Sequence, residues 1–593
     1  MNSFPSKLAV VLTALFGSIT LAPVRRVSAQ NAPPADATIS SAHPKKIFAH
    51  FMGCWPVASG PMISNYEDQK NLRYDNRNPQ MRVGGHIRNW PLVPPGTKLS
   101  LHDSCDLEIR RALRIGIDGF TVDAWAGSQS AKDTLDMMFK VAEEKNYPFE
   151  LTITPDPNCL MGDTAVGAIK YLLSKHGDSP KLARRDGKPL IFGYQSIFVA
   201  MGTGGQVYKD RPELQGTWVW GKPFMRSTPA GFNYMGKAMQ ELQKQVGQPL
   251  YLEFCMSAFN YGIDGGNVTA DQKLQAAGIL AKYVGGVGSF EWLGMNQNQI
   301  AKAVVQNGAE WMYPIGFGQK ENLPWESYGP PGLEWFRGGW MGVIADNSTL
   351  LQYITWNDYG ENTALAPGFN TRYALYDLTA YYISWWKNGT PPTPDHDRVY
   401  IAYHKYPKGA KIFPFRSLFP RSQEPWIEVV TILPKPATIR LPGRNAEYEA
   451  PAGFYTKQFP TTPGPVVAEL VRDDKTVLHL ESPEPITDKP FREDNGYVCW
   501  SSEEERNWKL DFGDTPMWSY SEYSEPDHNG LPAWFEMYYF GKWLDFTSPH
   551  VVVDPNADPD EDGKTNLQEY QEQTDPTRAP TATEPTAPDP TAP

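Results

Sequence analysis

Between residues 46 and 390 one pattern recurs eight times: a short apolar, β-branched or aromatic run ends in polar or glycine-rich residues. The runs are Lys46–Gly53, Gly116–Ala124, Phe149–Thr154, Pro189–Tyr194, Pro249–Met256, Gly286–Leu293, Glu310–Gly316 and Leu351–Trp356. Between them lie amphipathic stretches such as Ser104–Arg114, Ser130–Lys145, Asp163–Lys175, Gly231–Val246, Asp271–Tyr283 and Tyr373–Lys387. A strand covered on both faces reads as a near-continuous apolar run, not as an alternation. Eight such βα units predict an α/β fold, a (β/α)8 TIM barrel with a parallel sheet. The long connections 54–103 and 195–230 follow strands and are rich in Trp, Gly and Pro. Both belong at the C-terminal face, where barrel active sites are built.

The rest of the 593 residues divides around this barrel. Lys7 precedes an apolar run from Leu8 to Val24, and Val27-Ser28-Ala29-Gln30 offers the small residues a signal peptidase reads. Residues 1–29 are therefore expected to be a secretory signal peptide, which places the mature chain outside the cell or in a periplasm. A membrane anchor fits less well, because Gly17 and Pro23 break the run and it is short for a span. The catalytic barrel is then 30–390, and Asn388–Asp397 is a linker by composition. Alternating runs such as Trp426–Leu433, Val466–Val471 and Thr476–Leu480 predict a β-sandwich-like accessory domain over 398–515. A small module spans 528–578, and the Ala/Thr/Pro-rich 579–593 reads as a disordered tail. Five cysteines, an odd and sparse set, imply no disulfide framework; one or two bridges and buried thiols both stay open.

Composition narrows the function. The net charge of −12 leaves no basic excess to bind a phosphate backbone, so nucleic acid is not an expected partner. Aromatic residues make up 13%, which suits a surface that grips flat apolar faces. The chain has no His-Glu-x-x-His, Cys-x-x-Cys, P-loop or Gly-x-Ser-x-Gly motif, so metallohydrolase, phosphate and serine-hydrolase chemistry lack support.

An acidic, aromatic-rich barrel with a leader peptide suggests a glycoside hydrolase by fold analogy. That chemistry usually needs one carboxylic acid to protonate the leaving oxygen and a second carboxylate as base or nucleophile. Carboxylates at the ends of the runs are Asp123, Asp156, Glu253, Glu291, Asp358 and Glu361. Runs four and seven end without one. The eighth ends Ile354-Thr355-Trp356-Asn357-Asp358-Tyr359-Gly360-Glu361-Asn362, two acids three residues apart. Trp356 and Tyr359 offer apolar cover that can raise one carboxyl while the other stays ionised. Asp358 and Glu361 are the catalytic candidates, and a structural loop is the plainer alternative.

These residues resemble the signature of glycoside hydrolase family 71, the α-1,3-glucanases or mutanases. Lys46-Ile47-Phe48-Ala49-His50-Phe51-Met52 looks like the family's first strand. Gly116-Ile117-Asp118-Gly119-Phe120 looks like its second, with Gly119 where Ala is more usual. Trp311-Met312-Tyr313-Pro314-Ile315 is similar to the seventh strand and Ser289-Phe290-Glu291-Trp292 loosely to the sixth. The resemblance covers about 46–390 and extends to the β module. It implies a glucan endo-1,3-α-glucosidase acting with inversion, with Asp358 and Glu361 as its acids. Asp358 is favoured as base and Glu361 as acid.

Around them, His50, Asp123, Trp125, Glu291, Trp292, Trp356, Asn357 and Tyr359 are the expected sugar contacts. Trp55 and Trp90 are further stacking candidates, and Glu253 and Glu291 are backup carboxylates. The alternatives are a satisfied core histidine for His50, a loop or helix cap for Asp123, and for any single Trp core packing, the more common use of that residue. Glu291, where Asp or Asn would be expected, and the ending Gly316-Phe317-Gly318 depart from the family pattern. The related endo-α-mannosidases carry a glutamate pair at the same spacing, so another α-glycan is the alternative substrate. A carbohydrate-binding protein without catalysis is the third reading.

Asp558-Pro559-Asp560-Glu561-Asp562-Gly563-Lys564-Thr565-Asn566-Leu567-Gln568-Glu569 fits the oxygen-ligand pattern of an EF-hand calcium loop. Side-chain ligands fall on Asp558, Asp560, Asp562, Asn566 and Glu569, and Lys564 supplies its carbonyl. A structural Ca²⁺ is expected there, and no cofactor for catalysis. The partner expected is an α-glucan, met by a monomer.

Overall fold

The computed structural model describes residues 43–59, 91–94, 97–124, 129–155, 165–194, 196, 215–219, 222–225, 227–256, 269–290, 297–317, 332–359, 363–404, 407, 411–412, 416–417, 426–482, 484–486, 497–517, 529–531, 539–540, 553–572 and 574–579. The expected leader 1–29, most of the two long connections, and Trp90, Trp125, Asp156, Cys159, Glu291, Trp292 and Glu361 lie outside them.

All eight expected strands form: β1 Lys46–Phe51, β2 Gly119–Ala124, β3 Glu150–Pro155, β4 Lys188–Ile191, β5 Tyr251–Cys255, β6 Gly286–Gly288, β7 Glu310–Ile315 and β8 Leu350–Tyr353. They hydrogen-bond in the order β3-β2-β1-β8-β7-β6-β5-β4, each neighbour parallel to the next. The ends of this order meet: the Phe192 N–H donates to the Ile153 carbonyl at 3.2 Å, and the Ala183 N–H to the Leu151 carbonyl at 2.9 Å. The sheet therefore curls into a barrel-like ring.

Helices follow the strands: α1 Leu101–Arg114, α2 Gln129–Glu144, α3 Ala165–His176, α4 Pro229–Val246, α5 Ala270–Leu280, α6 Gln297–Gln306, α7 Leu333–Asp346 and α8 Ala374–Asn388. Several carry their own caps. Ser100 accepts the Asp103 N–H at the start of α1, and Thr269 and Gln272 form a capping box on α5. α4 starts on Thr228-Pro229 and stops at left-handed Gly247.

Phe48, Leu190, Phe192, Tyr251, Met312 and Leu350 fill the ring interior. Gly119 makes room for this packing, because a Cβ there would lie 2.6 Å from the Phe48 ring and 2.3 Å from the Glu150 carbonyl oxygen. Below, buried Glu310 accepts from the Arg185 guanidinium, from Thr349 Oγ1 at 2.5 Å and from the Tyr251 hydroxyl at 2.9 Å.

Among the described residues of 398–501 lie two four-stranded antiparallel sheets and one short two-stranded one. One runs in the order β13 (Gly453–Pro460), β10 (Trp426–Leu433), β9 (Arg398–His404), β16 (Tyr497–Ser501). The other runs β12 (Ala446–Ala450), β11 (Ala437–Leu441), β14 (Val467–Arg472), β15 (Lys475–Glu481). Val399, Ile401 and Val429 of the first share a core with Ile439, Leu441 and Leu470 of the second. This β module ends in helix α9, Glu504–Phe512, a helix inside a span expected to be all β.

The module supplies caps that two barrel helices lack. α7 begins at Gly332 and α8 at Tyr373, neither with a side-chain cap of its own. Glu428 of β10 accepts the Leu333 N–H at 2.6 Å and the Glu334 N–H at 3.1 Å. Gly332 sits at φ 103°, and a Cβ there would lie 2.4 Å from the Glu428 carboxylate. Glu504 of α9 accepts the Tyr373 N–H at 3.2 Å. Asp511, fully buried, then ties α9 to α1 through Arg111 Nε at 2.7 Å and Arg114 Nη2 at 2.8 Å, with the Tyr373 hydroxyl at 2.6 Å.

Burial pushes the Asp511 carboxyl up, but Arg111 and Arg114 outweigh it and hold it below the usual range. Its contribution is present above about pH 4 and is lost as pH falls through the depressed native value. Asp511→Ala leaves Arg111 buried without its partner, so at neutral pH it should lower the unfolding free energy by about 3–5 kcal/mol. Chemical denaturation would show a midpoint unchanged from wild type if this clamp were inert.

Candidate active site

The site is built on the chain that leaves β8. After Tyr353 the backbone turns through a cis Ile354–Thr355 peptide bond, and the Trp356 N–H donates to the His50 carbonyl at 2.7 Å. This joins the extension of β8 to the end of β1. Thr355 then organises the turn: its hydroxyl accepts the Asp358 N–H at 3.0 Å and lies 3.0 Å from the Thr363 hydroxyl. The Thr363 N–H donates to the Asp358 carbonyl at 3.1 Å, and the Thr355 N–H to the Thr363 carbonyl at 3.1 Å. The backbone on either side of residues 360–362 is thus tied together. Asp358 is placed at the C-terminal mouth of the ring; Glu361 falls outside the described residues.

The three residues framing Asp358 were expected to touch sugar, and their surroundings favour a different part. The Trp356 indole is buried against Phe120 and donates to Glu108 of α1 at 2.8 Å. Glu108 also accepts the Val57 N–H at 3.2 Å. Burial pushes its carboxyl up to about 7 against the pull of Arg111. The Asn357 side chain accepts the Met52 N–H at 2.7 Å and donates to the Met52 and Trp55 carbonyls at 3.2 and 2.9 Å. Tyr359 is buried, its hydroxyl 3.4 Å from the Pro367 carbonyl. These side chains lock the turn to β1 and α1, and Asn357 spends its amide on backbone groups. Buried polar groups that find partners in this way rigidify a site.

The ends of β1 and β2 come together near Asp358. Asp123, near the end of β2, lies 3.9 Å from His50 Nε2 at the end of β1. The Asp123 and Asp358 carboxylates both act on the buried Cys54 thiol, whose own burial raises it first. The His50 imidazole packs edge-on against Phe290 at 4.9 Å, with Tyr194 at 6.5 Å. Burial pushes it down to about 3, so it is neutral at working pH and offers hydrogen bonds without charge. Trp55 is half-buried beside this cluster. Cys54, Cys105, Cys255 and Cys499 are buried, and no disulfide joins any two of them.

The floor beneath holds residues that sequence reasoning underweighted or missed. Glu253 of β5 is buried in the ring and accepts the Gly193 N–H at 2.7 Å. Burial pushes its carboxyl up to about 8, so at neutral pH it holds a proton. Gln352 of β8, also fully buried, has side-chain nitrogen and oxygen atoms without hydrogen-bond partners, as has His50 Nδ1. The only sequence signal for Gln352 was a polar residue inside an apolar run. Glu108 carried none, because its role depends on Trp356, far away along the chain.

The acidic loop at Asp558–Glu569 belongs to the separate C-terminal segment. No described helix is long and apolar enough to cross a membrane.

The raised carboxyl of Glu253 has a measurable consequence. Its neutral form is favoured by folding, so its contribution is fully present below the unfolded value near pH 4.3 and is lost as pH rises through about 8. Across that window it should tilt stability downward by at most about 1.4 kcal/mol per pH unit. Glu253→Gln should remove this slope in denaturant titrations at several pH values. Identical slopes in the two proteins would refute a protonated Glu253.

The sequence model of glycosyl hydrolase family 71 matches residues 294–507. A mutanase of Penicillium rubens is 28% identical over 160 residues, 23% of this chain and 36% of that protein, so the match spans about a third of the curated relative's length. Two structures of the GH99 endo-α-mannosidase from Bacteroides thetaiotaomicron are similar at TM-scores of 0.35 and 0.38, with 13% and 12% identity. They cover 51% and 58% of this chain, and 85% and 98% of their own. The family match starts after β6 and reaches into α9, leaving the first six strands outside it. The stretch that carries β7, β8, the Asp358 turn and most of the β module is thus the part of the chain that matches the model of glycoside hydrolase family 71.

Proposed function

We propose that this chain is a secreted glycoside hydrolase that cleaves α-1,3-glucosidic links in α-glucan by a two-carboxylate, inverting mechanism. One observation carries the reading. The segment Thr355–Tyr359 leaves the last strand of a parallel barrel-like sheet, and the acidic motif it begins lies within the span that matches glycoside hydrolase family 71. The relative described as a mutanase supports α-glucan as the substrate class.

In this reading Glu361 gives its proton to the glycosidic oxygen as the bond to the anomeric carbon breaks. Asp358 takes a proton from water as that water attacks the opposite face of the sugar. Inversion requires the two carboxyls to stand ~6.5–9.5 Å apart, with room for the water between them. Neutral His50 and Asp123 hydrogen-bond sugar hydroxyls at the rim, and Trp55, Trp125, Glu291 and Trp292 complete the cleft wall. Residues 1–29 direct export, 30–390 form the TIM barrel, and 398–515 form a β-sandwich-like domain that braces it. The protein acts as a monomer.

Product analysis on insoluble α-1,3-glucan tests this. Wild type should release soluble glucose oligomers whose new reducing ends are first β, as followed by proton NMR. Asp358→Asn and Glu361→Gln should each lower kcat by about 10²–10⁴-fold, the usual contribution of a positioned acid or base. Near-full activity in either variant would reject the pair. Release from α-mannan but not from α-glucan would reject the substrate, and binding without release from any glycan would reject catalysis.

A further inference from the structure

The C-terminal segment holds a group of oxygens that the glycosidase reading leaves unused. One carboxylate oxygen from each of Asp558, Asp560 and Asp562 lies within 4.8 Å of the others. Such a cluster alone is common on exposed surfaces. Two further residues set this one apart. Glu569 is 0% exposed and Asn566 1%, yet Glu569 Oε2 and Asn566 Oδ1 have no hydrogen-bond partner. Asp560 Oδ2 is likewise buried and unpartnered. The Glu569 carboxylate is close enough to Asp560 and Asp562 to feel their charge, and its other oxygen, Oε1, accepts from the Thr574 hydroxyl at 3.1 Å, which leaves Oε2 as the unpaired one. A buried carboxylate oxygen without a partner, set beside two further carboxylates, is strongly unfavourable unless a cation offsets it.

The local backbone presents these oxygens inward. Gly563 turns the loop at φ 93°, and the Lys564 amine reaches away to Glu572 at 2.7 Å, so that only the Lys564 carbonyl is available to the loop. Thr565 and Gln568 cap helix α10, Asn566–Glu572, reciprocally at 2.9 and 3.3 Å. The Asn566 Nδ2 donates to the Asp554 carbonyl at 2.8 Å, which fixes the amide with its oxygen unpaired. The donor set is all oxygen and mostly anionic. That chemistry selects a hard dication, and its number and flexibility favour calcium over the smaller, strictly octahedral magnesium.

We propose that Asp558, Asp560, Asp562, the Lys564 carbonyl, Asn566 and Glu569 bind one Ca²⁺, and that this ion fastens the C-terminal segment. Asn566 and Glu569 open and close the first turn of α10, whose Leu567 and Tyr570 pack against Leu531 and Val553. Drawing Glu569 onto the ion seats that small apolar cluster, so ion binding and docking of 553–578 are one event. The ion holds structure and takes no part in cleaving the glycan.

Titration calorimetry on the full chain, stripped with chelator and supplied with CaCl₂, tests this. Wild type should bind one Ca²⁺ per chain, and the ion should slow proteolysis within 553–578 at least tenfold. MgCl₂ in a parallel titration should bind at least tenfold more weakly. Glu569→Gln and Asp560→Asn should each weaken calcium at least tenfold, whereas Lys564→Ala should change it less than twofold, because its ligand is the backbone. Absence of calcium binding at millimolar concentration, the weak limit of extracellular loops of this kind, would overturn the proposal. So would unchanged affinity in both acidic variants, or binding without protection of the segment. Because the readouts are heat and proteolysis, this result and the glycan assay fail independently.

Discussion

Two glutamate side chains from outside the barrel close the ends of two barrel helices, and the architecture of the site rests on this. A helix start leaves backbone N–H groups without partners, and burying them unpaired is costly. α7 and α8 have no local side chain to meet that need. Glu428 and Glu504 meet it from β10 and α9, residues 95 and 131 positions further along the chain from Leu333 and Tyr373. The β module is therefore part of the barrel's hydrogen bonding. Arg111 and Asp511 add a third tie, to α1.

These ties surround the strand that carries the candidate acids. α7 precedes β8 and α8 follows the Asp358 turn, so both flanks of β8 are anchored to the module. The Cys499 N–H reaches the Asn370 carbonyl at 2.8 Å in the stretch between the turn and α8. On the opposite side, Glu108 holds Trp356 and Asn357 holds the chain after β1. Asp358 is thus oriented by contacts from β1, α1 and the module together. A catalytic carboxylate needs placement within fractions of an ångström, and a loop pinned at both ends by packed elements provides it. The family match spans β7 through α9, the same unit that these contacts make mechanically continuous.

The eight strands were legible because strands buried on both faces read as unbroken apolar runs, and their parallel order follows from the helices between them. Their ends were less so: Gly286–Leu293 was read as one run, whereas the strand described is Gly286–Gly288. α7 is hard to read because Arg337-Gly338-Gly339 sits in its interior and its cap is remote in sequence. The helix closing the β module was missed for a similar reason, since Glu504 is set by its role on Tyr373. In the site, Asp358 was legible from a motif. The scaffolding parts of Trp356, Asn357 and Tyr359 were not, because they depend on partners such as Glu108 and Met52, brought close only by barrel closure.

The electrostatic layering of the ring interior bears on what such a site can do. At the base, Glu310 stays ionised against Arg185, so that charge is neutralised where it sits. In the middle, Glu253 keeps its proton because burial outweighs the N–H groups it accepts. At the top, His50 is held neutral by burial. Neither Glu253 nor His50 therefore adds net charge beneath the mouth. A cationic histidine there would favour ionisation of both nearby acids and work against keeping a proton on one of them. In the proposed reading, a neutral floor leaves the protonation of the catalytic pair to be set by its own separation and cover, the condition that an acid working with a base requires. Asp123 and Asp358 both raise the buried Cys54 thiol, so their field is felt among the groups packed at this mouth.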